Sequence, residues 1–356
     1  MNRTFILLII VNAFEALHIY LRNILIPILD NTYSNNFHWG LISYFNNYSI
    51  DFYRRSIVGT LMDLVNFAPT LHNLIFLKFI FLSIFGILFS IFFKKLKNTD
   101  FFLIALSPFF FQQFIFSSLA VNDLLSFIFF ISSLLAIRSN KKNLLFILMP
   151  LGITNHLLFS IFFSPLIIYY LFKNKDFLAA KLQAFVWVLL TCIFAFIGKF
   201  DLKNLSYLKN NILQNGFKID EHDFYFVINT NSFFDNVKFS LGYINYALDD
   251  IARASTFCIL IILSTMFFLR IKSNLIKIKI PMIILTISLL SMFLIGFDYP
   301  RWIGLYLAVS LILLSHEGEF KISNKFRYLL MFFGILGPIG TSDGFPLLFK
   351  MIINIM

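Results

Sequence analysis

The chain has 356 residues, of which 59% are hydrophobic and 13% are charged, and its formal net charge is +11. Because soluble domains carry about 25% charged residues, this composition excludes an ordinary soluble fold. The positive charge does not indicate nucleic-acid binding, since the lysines form short clusters between apolar runs. Cys192 and Cys258 both lie inside apolar runs, which argues against a disulfide framework or a thiolate metal site.

The apolar runs are candidate membrane helices, because about 20 residues cross the hydrocarbon layer. The pair 144–155 and 157–172 is either two short half-helices or one kinked element. The sequence therefore predicts an all-α polytopic bundle of 10–12 transmembrane helices, in a single integral membrane domain spanning 1–356. The candidate spans are 4–29, 73–93, 101–119, 121–137, 144–155, 157–172, 182–198, 254–270, 279–297, 302–315 and 328–340.

Clusters of basic residues predict the orientation of this bundle, because cytoplasmic connections carry an excess of Lys and Arg. All the clusters fall on one side of the predicted helices, which places the N-terminus in the cytoplasm. Two larger loops, about 30–72 and 199–253, then face outward, and 204–215 within the second reads as a short helix closed by Gly216. The cytoplasmic residues are Arg3, Lys94, Lys95, Lys97, Arg138, Lys141, Lys142, Lys173, Lys175, Lys181, Arg270, Lys272, Lys277, Lys279, Lys321, Lys325 and Arg327.

The first helix carries four polar residues on one face. Asn12, Glu15, His18 and Arg22 recur every three or four residues, which is the spacing of neighbours on a helix surface. Ionisable residues at membrane depth are costly and are usually functional or paired. The stripe is therefore either a self-satisfied contact that docks the first helix or the lining of a cavity.

The first outer loop contains adjacent arginines. Asp51 precedes Arg54 and Arg55, and Gly59 follows them. Two guanidinium groups suit a diphosphate, because each offers a bidentate fork of donors. An ion pair between Asp51 and an arginine on one helix is the structural alternative. Gly59 allows a close backbone approach, for packing or for a ligand.

Two further segments carry candidate chemistry. Asn155 and His156 lie at the break between two short apolar runs, where His156 is either structural or a proton-transfer group. Asp298, Arg301 and Trp302 lie between the predicted helices 279–297 and 302–315. They form either a salt bridge at a helix junction or a site in which Asp298 handles a proton, Arg301 binds phosphate and Trp302 stacks on a sugar ring.

These three segments all reach the outer side of the predicted bundle, which favours a shared cavity containing Arg54, Arg55, His156, Asp298 and Arg301. The sequence contains no phosphate-binding P-loop, no dinucleotide-binding glycine pattern, no nucleophile elbow and no His-Glu-x-x-His. With no soluble nucleotide-sugar domain, the energy for a transfer must arrive in the substrate. A polyprenyl-linked sugar is the simplest such substrate.

The chain resembles bacterial O-antigen and capsule repeat-unit polymerases of the Wzy type. The resemblance covers most of the chain through its topology, and locally it rests on Arg54-Arg55-Ser-Ile-Val-Gly59-Thr60, the Asn155-His156 turn and Asp298-Tyr-Pro-Arg301-Trp302. It implies an inner-membrane glycosyltransferase without a metal or other cofactor. The chain departs from many such enzymes in the second outer loop, where it lacks several arginines and its basic residues are mostly lysines.

The implied reaction moves a growing glycan from undecaprenyl diphosphate onto a lipid-linked repeat unit. In this reaction Arg54, Arg55 and Arg301 bind diphosphate, and Asp298, His156 or Asp51 takes the proton of the acceptor hydroxyl. A chain-length-regulating co-polymerase is a further expected partner. Two alternatives stay open: a polyprenyl-phosphate-dependent transferase of single sugars, with Asp30 or Asp51 as its acid, and a flippase or other transporter of lipid-linked oligosaccharides.

Overall fold

The computed structural model of the protein describes residues 2–20, 36–37, 41–49, 56–115, 122–198, 201–219, 278–295, 299–318 and 322–336, with isolated positions between 224 and 266. Across these residues the protein is almost entirely helical, which confirms the all-α prediction. The one sheet among them is a two-residue parallel pairing of β1 (Asn36–Phe37) with β2 (Lys218–Ile219).

The described helices follow the apolar runs of the sequence. A π-helical turn, Phe159–Phe163, directly precedes α9, and 3₁₀ turns at Lys142–Leu144 and Leu202–Asn204 precede α8 and α11. The helices are α1 (Arg3–Ile19), α2 (Ile42–Phe45), α3 (Ile57–Leu64), α4 (Leu71–Phe92), α5 (Asn98–Ala105), α6 (Phe111–Ile115), α7 (Asn122–Arg138), α8 (Leu145–Asn155), α9 (Ser164–Lys173), α10 (Phe177–Phe196), α11 (Leu205–Gln214), α12 (Lys279–Ile295), α13 (Tyr299–His316) and α14 (Asn324–Leu336).

One predicted span is interrupted, and one predicted break is present. The stretch 101–119 was predicted as one span, but α5 ends at Ala105 and α6 begins at Phe111, because Pro108 between them cannot continue a helix. The stretch 144–172 is two helical segments separated at His156, whose backbone is extended, which agrees with the first of the two alternatives, two short half-helices. The predicted span 254–270 lies outside the described residues, apart from two isolated positions.

Two described helices, α4 and α10, are long and apolar enough to cross a membrane. The mean hydropathy of their most apolar 18 residues is 2.5 in α4 and 2.0 in α10. Only 17% of those residues of α10 are buried, and large apolar side chains such as Phe185 and Phe196 are about two-thirds exposed. Further apolar helical segments, Phe159–Lys173, Lys279–Ile295 and Arg301–His316, are shorter. The polytopic bundle therefore stays a prediction.

Besides α10, three long helices carry exposed apolar side chains along one face. On α1, α4 and α12 they recur mainly at three- and four-residue spacing, which is one face of a helix. The exposed side chains are Phe5, Ile9, Phe14 and Leu17 on α1, Phe76, Ile80, Ile84, Ile87 and Ile91 on α4, and Ile280, Ile283, Ile287, Leu290 and Leu294 on α12.

The chain divides into two compact units that interleave along the sequence. The first unit contains Met1–Leu7, Ile87–Ser117 and Val237–Met356, and the second contains Leu8–Gly86 and Ser118–Asn236. The single domain predicted from the sequence stays a prediction, and each unit has a core of its own.

Aromatic rings fill the core of the first unit around Phe89. The rings of Phe93, Phe101, Phe110 and Phe111 lie with their centroids 4.5–5.6 Å from that of Phe89. Tilted and edge-to-face arrangements of this kind add to the stabilisation that comes from burial. Phe89 lies in the last turn of α4, and Phe93 directly follows the helix, so this core fixes the end of α4 against α5 and α6.

Charged contacts join the basic segments of the first unit. Arg3 donates to the carbonyl oxygens of Leu96 (2.9 Å) and Phe93 (3.3 Å). Arg327 forms two bonds to Asp100, with Nε 2.6 Å from Oδ1 and Nη2 3.0 Å from Oδ2. This bidentate ion pair raises the pKa of the Arg327 guanidinium. Three segments that the sequence places on one side of the membrane are therefore in contact.

In the second unit α7, α8, α9 and α10 pack on one another, and Phe163 lies against α7. Its ring stacks on Phe130 with the centroids 4.4 Å apart and contacts Phe127 edge-on at 5.3 Å. The π-helical turn leaves backbone groups without their usual partners, and the indole Nε1–H of Trp187 donates to the Ser160 carbonyl oxygen at 2.8 Å. These contacts join α7 and α10 to the π-helical turn.

Candidate functional site

Six buried polar side chains from three chain segments form what we call the buried amide cluster. It lies in the second unit and joins α2 and the start of α3, in the first predicted outer loop, to the first turns of α7 and the last residue of α8. Each side chain is no more than 6% exposed. The members are Ser43, Asn46, Ser56, Asn122, Ser126 and Asn155.

Hydrogen bonds join the two described parts of the first predicted outer loop, 41–49 and 56–64. Asn46 Nδ2 donates to Ser56 Oγ at 3.1 Å, and the Tyr48 N–H donates to Thr60 Oγ1 at 2.9 Å. A side chain at Gly59 would collide with the Asn46 carbonyl oxygen, so the predicted close approach at this glycine serves packing. Burial also raises the pKa of the Tyr48 phenol.

The amide of Asn155 has a fixed orientation. Its Nδ2 donates to the Asn122 carbonyl oxygen at 2.7 Å and to Ser126 Oγ at 3.0 Å, while Ser126 Oγ donates to that same carbonyl at 2.8 Å. Both contacts need an amide nitrogen, because the carbonyl accepts only and the serine proton is already used. Asn122 in turn donates to Ser43 Oγ at 3.3 Å.

Two amide oxygens of the cluster are buried without a hydrogen-bond partner in the described part of the chain, namely Oδ1 of Asn122 and Oδ1 of Asn155. An unsatisfied buried acceptor costs about 1–3 kcal/mol. Such atoms usually have an explanation in strain, catalysis or a bound group. Both oxygens are suited to accept hydrogen bonds from hydroxyl groups.

His156 caps the helical segment that follows α8. Its backbone is extended, and its Nδ1 accepts the N–H of Leu158 at 2.9 Å, as a residue at the start of a helix does. Because Nδ1 accepts, the neutral imidazole carries its proton on Nε2. The ring is 4% exposed. The geometry thus favours the structural interpretation of His156. In this arrangement Nε2 is a hydrogen-bond donor, and Nδ1 is not free to act as a base.

The helix predicted at 204–215 is present as α11, and Gly216 beyond it has φ +83°, the conformation expected of a glycine that ends a helix. α11 contacts the first outer loop, since Asn211 Nδ2 donates to the Phe45 carbonyl oxygen at 3.0 Å and Phe217 packs edge-on against Phe45 at 5.4 Å. The β1–β2 pairing joins the same two predicted loops, so their described parts contact each other.

A second polar site lies between the parts of α1 and α4 that belong to the second unit, residues 8–19 and 71–86. Lys78 Nζ is 2.8 Å from Glu15 Oε1, and the side chains are 2% and 0% exposed. Asn12 Nδ2 donates to Ser83 Oγ at 3.3 Å across the same interface. The polar face predicted on the first helix therefore docks against α4, and His18 follows on that face, half-buried. Sequence reasoning missed Lys78, although it is the sole charge in an otherwise apolar run.

Arg301 and Trp302 belong to the first unit, at the start of α13. The Arg301 guanidinium lies over the Trp302 ring, 5.3 Å from its centroid, and the ring is 5% exposed. A cation stacked on a buried indole is a stable arrangement in itself. The stacking of Trp302 on a sugar ring stays a prediction.

Five of the predicted site residues lie outside the described residues, namely Arg22, Asp51, Arg54, Arg55 and Asp298. The structure places His156 in the second unit and Arg301 in the first, so the shared cavity stays a prediction. Among the described residues, no group of three or more His, Cys, Asp or Glu side chains is arranged to hold a metal ion.

Comparison of the chain with protein-family models, with curated proteins and with solved structures gave no match.

Proposed function

We propose that the protein is a multi-pass protein of the bacterial inner membrane with a cytoplasmic N-terminus. Apolar stripes on α1, α4, α10 and α12 support a lipid environment, because a soluble protein rarely exposes such continuous apolar surface. The orientation is supported by contacts between basic segments inside each unit. Arg327 pairs with Asp100 in the first unit, and Lys142 pairs with Asp176 at 2.6 Å in the second.

Within that membrane it acts as an O-antigen or capsule polysaccharide polymerase at the outer face. It transfers a glycan from undecaprenyl diphosphate onto a lipid-linked repeat unit. The observation that carries this proposal is the buried amide cluster, which fastens the first outer loop to the ends of α7 and α8 predicted to face outward. Ser56, an anchor of the cluster, directly follows Arg54 and Arg55 in sequence.

The chemistry needs no energy source besides the substrate. The acceptor hydroxyl oxygen forms a bond to the anomeric carbon of the donor glycan, whose bond to the diphosphate breaks. The leaving diphosphate takes the bonding electrons and is bound by Arg54, Arg55 and Arg301. The hydroxyl proton passes to the carboxylate of Asp51 or Asp298. Confinement of both substrates to the membrane supplies much of the rate.

Transport of a lipid-linked oligosaccharide is the second candidate function. The Glu15–Lys78 pair favours it, because ionisable residues deep inside apolar helices often mark transport pathways. The two functions predict different products. A polymerase lengthens chains on the outer side, whereas a transporter supplies the outer side with single units.

Deletion of the gene tests the proposal through the length of the glycan on lipid A–core. A polymerase deletion leaves one repeat unit per core, and Arg54→Ala does much the same. Lys175→Ala, an exposed lysine on the opposite predicted side, keeps the full ladder. Long chains in the deletion strain contradict the polymerase, and the loss of all repeat units indicates the transporter.

A further inference from the structure

The Glu15–Lys78 pair is the most deeply buried charge in the described part of the chain. Its 2.8 Å separation and side-chain exposures of 2% and 0% mean that both ions are fully withdrawn from water. Removing two charges from water costs more than their attraction commonly returns, and apolar pairs of similar volume often stabilise a protein as well or better. Stability alone therefore does not account for this pair.

The pair lies one to two turns from a described end of each helix. Lys78 is about 10 Å along α4 from Leu71, the end that is predicted to face outward, and Glu15 is about 6 Å along α1 from Ile19, at 1.5 Å per residue. His18 lies one turn beyond Glu15 on the same face, in the direction that is predicted to lead outward. Polar side chains thus continue along α1 on the outward side of the pair, while Asn12 and Ser83 continue the polar contact on the other side.

We propose that Lys78 is an anion-binding residue for the diphosphate of a polyprenyl-linked substrate or product, and that Glu15 is its counter-ion when the site is empty. This inference rests on the proposed function for the identity of the ligand. Glu15 neutralises Lys78 inside the apolar core and competes with the ligand for it. A diphosphate displaces the carboxylate because it offers more negative charge and more acceptor oxygens than one carboxylate.

The test measures the melting temperature of the purified, detergent-solubilised protein with and without undecaprenyl diphosphate, and separately with inorganic pyrophosphate. At about 100 times the dissociation constant, a specific ligand raises the melting temperature by about 5 °C. Pyrophosphate that acts as well as the lipid shows that the phosphates suffice. Stabilisation by undecaprenyl diphosphate alone shows that the lipid chain is needed.

Three variants assign the effect to the pair. Glu15→Leu combined with Lys78→Met removes both charges together, and we expect it to fold and to lose the ligand-induced shift. Glu15→Gln removes the competitor and keeps Lys78, so its shift exceeds that of the wild type. The matched control is Lys142→Gln with Asp176→Asn, which removes a partly exposed ion pair of the same unit and keeps the wild-type shift.

The proposal is overturned if neither ligand stabilises the wild type, or if the apolar double variant is stabilised as much as the wild type. Should that variant not fold, Glu15→Gln decides, and a shift no larger than that of the wild type overturns the proposal. If Lys78 binds diphosphate but the protein makes no glycan ladder, the polymerase function is refuted and the anion site is still supported. A polymerase whose diphosphate binding is independent of Lys78 refutes this inference alone.

Discussion

Single polar residues in apolar surroundings were visible in the sequence, but their partners were not. The spacing of Asn12, Glu15 and His18 predicted one helix face, and the structure confirms that Asn12 and Glu15 meet the same helix, α4. Lys78 was passed over because a single lysine does not disturb an apolar run of 22 residues. Its role depends on a contact between distant segments, which no local pattern encodes.

For His156 the sequence showed the position but not the role of the side chain. Its place between two apolar runs is compatible with catalysis and with capping, and only the Nδ1 contact to the Leu158 N–H separates the two. Asn155, beside it, makes the more extensive network. Nothing in the sequence distinguishes a buried amide that binds three segments together from one that ends a helix in water.

Asn155→Leu tests the buried amide cluster at the scale of one residue. The substitution keeps the volume and removes both donors to the Asn122 carbonyl and Ser126, so we expect it to destabilise the protein by about 1–3 kcal/mol. Thermal unfolding measures the loss. The control is Thr154→Val on the same helix, since within the described part of the chain Thr154 donates to carbonyls of its own helix, those of Pro150 and Leu151. Equal stability of the two variants contradicts the cluster as described.

At the scale of the element, apolar runs predicted most of the long helices and the break at His156, but not every interruption. The runs 73–93, 121–137 and 302–315 correspond to α4, α7 and α13 within about three residues. The break between α5 and α6 was missed even though Pro108 marks it. The π-helical turn at Phe159–Phe163 has no local signal, because it depends on Trp187 from another helix.

The start of α10 gives a pH-dependent prediction. Asp176 Oδ1 accepts the Ala179 N–H, and its Oδ2 pairs with Lys142; the hydrogen bond from Lys142 is the main cause that lowers the pKa of Asp176 below its usual 3.8. A lowered carboxyl pKa stabilises the folded state above the unfolded value, and this stabilisation is lost as pH falls through the folded value.

Asp176→Asn keeps the cap and removes the ion pair. Because the pair is partly exposed, we expect the melting temperature at pH 7 to fall by no more than about 2 °C. The difference from the wild type should vanish below pH 3.8, as Asp176 of the wild type takes up its proton. Thermal melts across this range measure it, and a difference that persists at the acid end shows that the cap, not the charge, was lost.

At the scale of the whole molecule, composition and charge predicted an all-α membrane protein, and the described residues are almost entirely helical with two helices of membrane length. The division into two units was not predicted, because the units interleave in sequence and no linker separates them. The proposed reaction depends on Arg54, Arg55 and Asp298 as well as on the buried amide cluster, and the cluster by itself identifies no sugar.

Reconstitution of the purified protein tests the central claim most directly. The protein is placed in liposomes with the lipid-linked repeat unit extracted from the deletion strain, without nucleotide sugars, and the products are separated by size. We predict a ladder of glycans that differ by whole repeat units, together with released undecaprenyl diphosphate. Products that grow by single sugars, or a substrate that stays one unit long, contradict a polymerase.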